Sequence, residues 1–365
     1  MASLRRPLRH LHLPSIHPHY IPYSLASRVQ EHFRREHLDF KDISSSPTAP
    51  SHQPLPPPPP PTLISFTPAP IYTLGRRQTA PLTPTELARL TAPLRIRAPL
   101  RAGGSGSGAS GSRREDGDPT RAPVTVPPSV LHSPRGGLTT YHGPGQVVLW
   151  PVLDLKSALH RQFTVKCYAR LLEDTTIATL AAVFGLEAFT TGDPGPASAP
   201  SEEDVVVVDG AEEEEEMAKI AALGVHLRRH VTSLGTALNL TTPPPTVTDE
   251  TVSPWARIVA CGLEGRGVTS VAGEVGLKRA DALLRKFQAP RATLGLFLEA
   301  DVAGMREELV AGYWAEELSG RIGAQGVEEV GGEEAVELME RLVRDDGTAE
   351  EKGYLERVRE EVWLT

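Results

Sequence analysis

Residues 134–151 read PRGGLTTYHGPGQVVLWP, four glycines and an internal proline running directly into the apolar stretch Val147–Trp150. Glycine frees the backbone for turns and close approach, and a short apolar run bounded by such signals reads as a buried strand. The stretch is a loop feeding a strand, with Arg135-Gly136-Gly137 open to a ligand and Thr139, Thr140, Tyr141 and His142 able to line a wall. A phosphate cradle is excluded, since the Gly-x-x-x-x-Gly-Lys-Ser/Thr pattern is missing and no clear helix follows. A metal site is excluded too, because no His-x-x-x-His or Cys-x-x-Cys surrounds His142.

Working outward, the chain alternates strand and helix signals. Upstream, Leu25, Val29, Phe33 and Leu38 predict a helix over 24–42, TLISF predicts a strand at 62–66, and APIYTLGRR at 69–77 is an apolar stretch opening into a basic loop. Downstream, Phe163, Tyr168, Leu171 and Leu172 predict one or two helices within 161–184, with Cys167 on the same periodic pattern as a buried, inert thiol. MAKIAALGVHLRRHVTSLGTALNLT (217–241) predicts two strands and a helix start, bending at Gly224 and Gly235. WARIVACGLEGRGVTSVAGEVG (255–276) predicts a strand, a glycine-rich turn and a second strand or helix entry. Helical spacing returns at 278–287, 293–312 and 333–344. Strand blocks separated by helices predict an α/β (α+β) domain, a mixed β-sheet with flanking helices.

Many of the 34 prolines and 32 glycines of the 365-residue chain sit in tracts that cannot pack. The expected organisation is a basic leader at 1–23, one domain at 24–290 with low-complexity insertions at about 44–61, 79–121 and 190–216, and a helical C-terminal extension at 291–365. The 79–121 insertion, which contains GGSGSGASGS, is expected to be disordered. The first 30 residues hold Arg5, Arg6, Arg9 and Arg28 and no acid, the composition of a mitochondrial presequence or of a basic disordered terminus. The net charge of −8 is misleading, because the nine acids of 202–216 account for it and the rest carries +1. No apolar run reaches the roughly 18–20 residues that span a bilayer, so a soluble protein without a membrane partner is expected. Two cysteines cannot build a disulfide framework or a four-thiolate metal site.

Two residues stand out chemically. Cys261 lies in ACGLEGRG, between an apolar segment and a glycine turn, a placement that suits a nucleophile and equally a structural cysteine at a strand end. Lys219 lies inside the apolar MAKIAAL, where a buried ammonium would hold a nearby thiol ionised and an edge-strand lysine would keep its head in water. A thiol, a lysine and a glycine-lined pocket together suggest acyl transfer through a thioester, without metal, cofactor or nucleotide.

RGGLTTYHGPGQVVLWPVLDL (135–155), KIAALGVHLRRHVTSLGTALNL (219–240) and ACGLEGRGVTSVAGEVG (260–276), preceded by PIYTLGRR (70–77), resemble in order the octanoyltransferases of lipoate synthesis, also called lipoate-protein ligase B. The resemblance implies the fold of biotin and lipoate protein ligases. It also implies transfer of an octanoyl group from octanoyl-acyl carrier protein to a lysine of the lipoyl domains of 2-oxoacid dehydrogenases and of the glycine cleavage H protein, in the mitochondrial matrix. By the same resemblance Cys261 carries the acyl chain and Lys219 lowers its pKa. The substrate-binding positions fall on Arg135, Gly136, Gly137, Leu138, Thr139, Thr140, Tyr141 and His142, on Ala222, Leu223 and Gly224, and on Gly235, Thr236 and Ala237. No cofactor, metal or nucleic acid is implied. Trp150 replaces a usual tyrosine and Ala260 a usual proline, both expected to be packing positions that leave the chemistry untouched. The acidic run ending at Glu216 is expected to project away from Lys219, and Arg76, Arg77, Arg228 and Arg229 to steer acidic partners or to be ordinary solvated arginines. The alternatives are an ATP-dependent lipoate or biotin protein ligase of the same fold, which would use no nucleophilic cysteine, and a non-enzymatic mitochondrial adaptor.

Overall fold

The computed structural model describes residues 5–15, 17–45, 55–96, 123–190, 205–207, 218–243, 247–258, 267–275 and 307–362. Among them a nine-stranded mixed sheet is the spine. Its strands are β1 (Leu8–His12), β2 (Thr62–Phe66), β8 (Gln146–Val152), β9 (Ala188–Thr190), β10 (Val205–Val207), β11 (Ala218–Arg228), β12 (Val231–Asn239), β13 (Gly267–Val268) and β14 (Val327–Val330). The order is β14-β1-β2-β8-β12-β11-β10-β9, with β13 alongside β11. A three-stranded sheet sets β3 (Ile71–Leu74) between β6 (Ser129–His132) and β7 (Thr139–His142), and β4 (Leu94–Ile96) pairs with β5 (Val124–Val126).

Alternation along the strands builds two cores. Val147 and Leu149 of β8 face α3 (Val165–Thr179) and α4 (Glu307–Ile322), where Trp314 is fully buried. Val148, Trp150 and Val152 face α1 (Tyr23–Ser45), α5 (Gly332–Val343) and α6 (Ala349–Val362). Helices on both faces of a mixed sheet are the layering the sequence predicts.

Several expectations need correction. The expected leader holds β1, which pairs in parallel with both β2 and β14. Leu8, Leu11 and Leu13 are 0%, 1% and 0% exposed, so Arg9, set between Leu8 and Leu11, decorates a core strand. The C-terminal segment is no mere extension, since β14, α4, α5 and α6 complete the sheet and both cores. Within the expected insertions, α2 (Pro84–Thr91) is ordered by a capping box between Thr83 and Glu86, and β10 joins β9 to β11. The remainder of 79–121 from residue 97, and 208–217 with the acidic run before Lys219, lie outside the described residues.

The hairpin of 217–241 turns elsewhere than expected. Gly224 and Gly235 face each other in mid-strand, and the reversal is a two-residue turn at Arg229 and His230, with φ of 52° and 68°. Such a turn favours Asn-Gly, so its Arg-His sequence left no signal. No helix starts within the span, because β12 runs on to Asn239. Cys167 is exposed. It occupies the first turn of α3, where its N–H donates to Thr164 Oγ1 at 3.1 Å, while Tyr168, Leu171 and Leu172 take the buried face. Hydrogen bonding to Thr164 lowers its pKa.

Candidate functional site

A half-open pocket lies on the α1 face of the sheet. Its floor is unusually small. Ala222 pairs with Ala237 and Gly224 with Gly235 across β11 and β12, which leaves room above four residues that carry two methyl groups between them. Both glycines are forced by close approach. A Cβ on Gly235 would lie 2.2 Å from the Leu149 carbonyl oxygen, and one on Gly224 would lie 2.9 Å from Arg135 Cδ.

The loop before β7 supplies one wall through Arg135, Thr140 and His142. Arg135 is 7% exposed, and its guanidinium donates to the carbonyls of Thr73 (2.7 Å), Leu138 (2.8 Å) and Gly136 (2.9 Å) and to Thr73 Oγ1. Its charge braces the loop against β3, and its methylenes face the pocket over Gly224. Of the other expected residues, Leu223 and Thr236 also line the pocket. Thr236 pairs with Leu149 and Leu223, both of the opposite core, so its side chain points to the α3 face of the sheet, away from the pocket.

Gly136, Gly137, Leu138, Thr139 and Tyr141 do not line it. The first three hold the loop to residues 75–77 through backbone hydrogen bonds or to Arg135, and Thr139 pairs with Leu74. Tyr141 turns to the opposite side of β7, packing on Tyr72 and Trp255.

Four lining residues had not been singled out as binding positions: Tyr23, Val148, Trp150 and Leu234. Trp150 is thus no remote packing residue. It meets Tyr23 edge-on at 5.2 Å and forms part of the wall. Alternation along β8 signals its face, but not that the N-terminus of α1 would arrive opposite. Leu234 has φ of 62°, a left-handed conformation that costs a non-glycine residue roughly 1–3 kcal/mol and is kept where the surroundings impose it. Ala260 lies outside the described residues, as does Cys261.

Lys219 opens β11 and is 5% exposed. It pairs with Val268 of β13, and its carbonyl accepts from Thr269 N–H at 2.9 Å. The segment that carries Cys261 therefore re-enters the described fold beside Lys219. The lysine is also close enough to act on His142, whose pKa is pushed down to about 3 by burial first, then by Arg135 and Lys219. The ring stacks on Tyr23, 6.1 Å between centroids.

His37 on α1 is held down to about 4, again mainly by burial. Both rings are neutral in the folded protein, whereas in the unfolded chain they titrate near 6.5. Unfolding takes up protons below that value, so stability is full above it and lost as pH falls towards the folded values. Two such groups predict a loss of roughly 2–4 kcal/mol between pH 7 and 5. Urea denaturation at the two pH values measures it, and equal midpoints would contradict the buried neutral rings.

A family model described as the lipoyl protein ligase A/B catalytic domain matches residues 128–283. The mitochondrial octanoyl-[acyl-carrier-protein]:protein N-octanoyltransferase of the zebrafish Danio rerio is 31% identical over 261 residues, 72% of this chain and 82% of the relative. The octanoyltransferase of Rickettsia massiliae is 35% identical over 142 residues, 39% of this chain, and the match spans 57% of that enzyme's length. A bipartite lipoate protein ligase from Thermoplasma acidophilum superposes with a TM-score of 0.42 at 12% identity, covering 99% of this chain and 95% of that one, a likeness too distant to bear on function.

Proposed function

The chain belongs to the octanoyltransferase family, and on that premise we propose that it moves an octanoyl group from octanoyl-acyl carrier protein to a lysine of lipoyl domains through a thioester on Cys261. The observation that carries this reading is the pocket. Three sequence blocks far apart in the chain, 135–142, 222–224 and 235–237, meet around one small-residue floor, near a buried lysine.

In this mechanism Lys219 favours the Cys261 thiolate, which attacks the carrier's thioester carbonyl. The carrier sulfur leaves and takes a proton from Lys219, so one thioester replaces another at little energetic cost. The apolar tail lies along Ala222, Gly224 and Ala237 towards Trp150. The amine of the acceptor lysine then attacks, an amide forms, the Cys261 sulfur leaves as thiolate, and the amine proton passes to the neutral Lys219, which restores the starting ammonium. The sequence needs no ATP.

The partner class is supported by charge. Arg76 and Arg228 lie near His226, two residues beyond Gly224 on β11, and after burial they and Arg34, itself paired with Glu31, depress its pKa. Acidic carrier and lipoyl domains fit such a surface. Arg229 is already engaged by Asp42. Residence in the mitochondrial matrix is proposed with the function, from the mitochondrial name of the zebrafish relative.

The test is intact-mass analysis after mixing the protein with octanoyl-carrier protein in the absence of ATP. The expected result is a gain of one octanoyl group, removed by hydroxylamine and absent from Cys261→Ser. Acylation only when free acid and ATP are supplied would replace this reading by that of an ATP-dependent ligase.

A further inference from the structure

We propose that Gln146 and Asn239 are positioning residues that lock His142 in the tautomer with its proton on Nδ1, leaving the Nε2 lone pair as a fixed hydrogen-bond acceptor at the pocket wall.

The direction of the network is decided at its far end. The Thr269 backbone carbonyl can only accept, so the group facing it at 2.9 Å must be the Asn239 amide nitrogen Nδ2. Asn239 Oδ1 then accepts from Gln146 Nε2 at 2.7 Å. That leaves Gln146 Oε1, an acceptor, facing His142 Nδ1 at 3.3 Å, and the ring nitrogen must be the donor. Turning either amide round would set oxygen against oxygen inside the core, where Gln146 is 1% and Asn239 3% exposed and the lost hydrogen bonds have no water to replace them.

Of what acts on the ring, only the Gln146 hydrogen bond favours a second proton, while burial and charge oppose it. The charged groups that act on the ring are Arg135, from the loop before β7, and Lys219, from β11, both cations. Tyr23 of α1 covers its face. The Nδ1 edge is occupied by Gln146, which does not line the pocket, while His142 does. Nε2, across the ring, is the edge left for a ligand.

The anchor is well placed for the reaction. Thr269 accepts from Asn239 through its carbonyl and donates through its N–H to the carbonyl of Lys219. One residue thereby ties the histidine network to the lysine strand, directly after β13. On the proposed function, on which this assignment of the ligand rests, the fixed acceptor receives an N–H of the acceptor-domain lysine as its amine attacks the thioester. A ring so hard to protonate orients the amine and does not take its proton.

The tautomer is tested without any substrate. In 15N-histidine-labelled full-length protein, with His142 identified by the signal lost in His142→Gln, the expected spectrum shows a protonated Nδ1 and an unprotonated Nε2 from pH 8 to 5. A protonated Nε2, or an imidazolium appearing near pH 6.5, would overturn the proposal while leaving the acyl-transfer reading intact. Activity supplies a second arm. Gln146→Glu keeps an acceptor for Nδ1–H but loses the donor to Asn239 and brings a carboxylate that raises the ring's pKa. Its kcat is expected to fall about 10–100-fold near pH 6 and to recover as pH rises, with KM for octanoyl-carrier within about twofold. A deficit equal at every pH, or none, would show that the network serves packing alone. Absence of transfer by the unaltered protein would instead sink the functional reading and leave the tautomer to the spectrum.

Discussion

Lys219→Met is expected to lower kcat/KM for octanoyl transfer by about 10³ at pH 7, with the fold retained. The lysine is 5% exposed at the junction of β11 and β13, and methionine matches its unbranched shape while removing the charge. Two losses combine. A free cysteine with a pKa of about 8.5 is only a few per cent thiolate at pH 7, so loss of the ammonium forfeits roughly 30-fold in nucleophile. Loss of the proton donor to the carrier sulfur accounts for about another 10²-fold. The first loss is recoverable, and the variant should regain activity steeply between pH 7 and 9 while the unaltered enzyme changes little. Steady-state rates at both pH values, with circular dichroism as the check on folding, measure it. A deficit below tenfold at pH 7, or one independent of pH, would separate Lys219 from the thiol.

Deletion of residues 1–13 is expected to prevent cooperative folding. The segment carries Leu8, Leu11 and Leu13, all within 1% of complete burial. Emptying a buried leucine site costs about 2–5 kcal/mol, and three such losses exceed much of the roughly 5–15 kcal/mol that holds a domain together. The deletion would also strip β2 and β14 of their shared partner, exposing two strand edges that invite aggregation. A broad or absent thermal transition and a shift to insoluble protein are the expected results, and Leu11→Ala alone should cost about 2–5 kcal/mol. A deleted protein with unchanged melting and transfer activity would show that β1 is dispensable. The consequence concerns targeting: a processing cut that removed Leu8–His12 would take part of the sheet with it.

The two outcomes differ in how much the sequence foretold. Lys219 stands out because a lone lysine in an apolar run is anomalous wherever it lies, but only the fold decides that its head is buried and not in water. The segment around β1 reads as a leader because its composition, arginines and leucines without acids, serves a targeting peptide and an amphipathic strand equally well. Its pairing with β2 and with β14, where His10 meets Glu329 319 positions away, tells them apart.

Local periodicity was enough to reveal the helix at Tyr23–Ser45, the strand at Thr62–Phe66 and the glycine-rich loop before β7, because each depends on neighbours within a few residues. The motif blocks likewise carried most of the pocket's floor and wall. Long-range packing settled the rest. It made Gly224 and Gly235 a floor in place of bends, turned Tyr141 away from the pocket, brought Tyr23 and Trp150 into its wall, and joined His142 to Thr269 through two amides. Such features arise where elements distant along the chain come within a few ångströms, and no short stretch of residues encodes which element its neighbour in space will be.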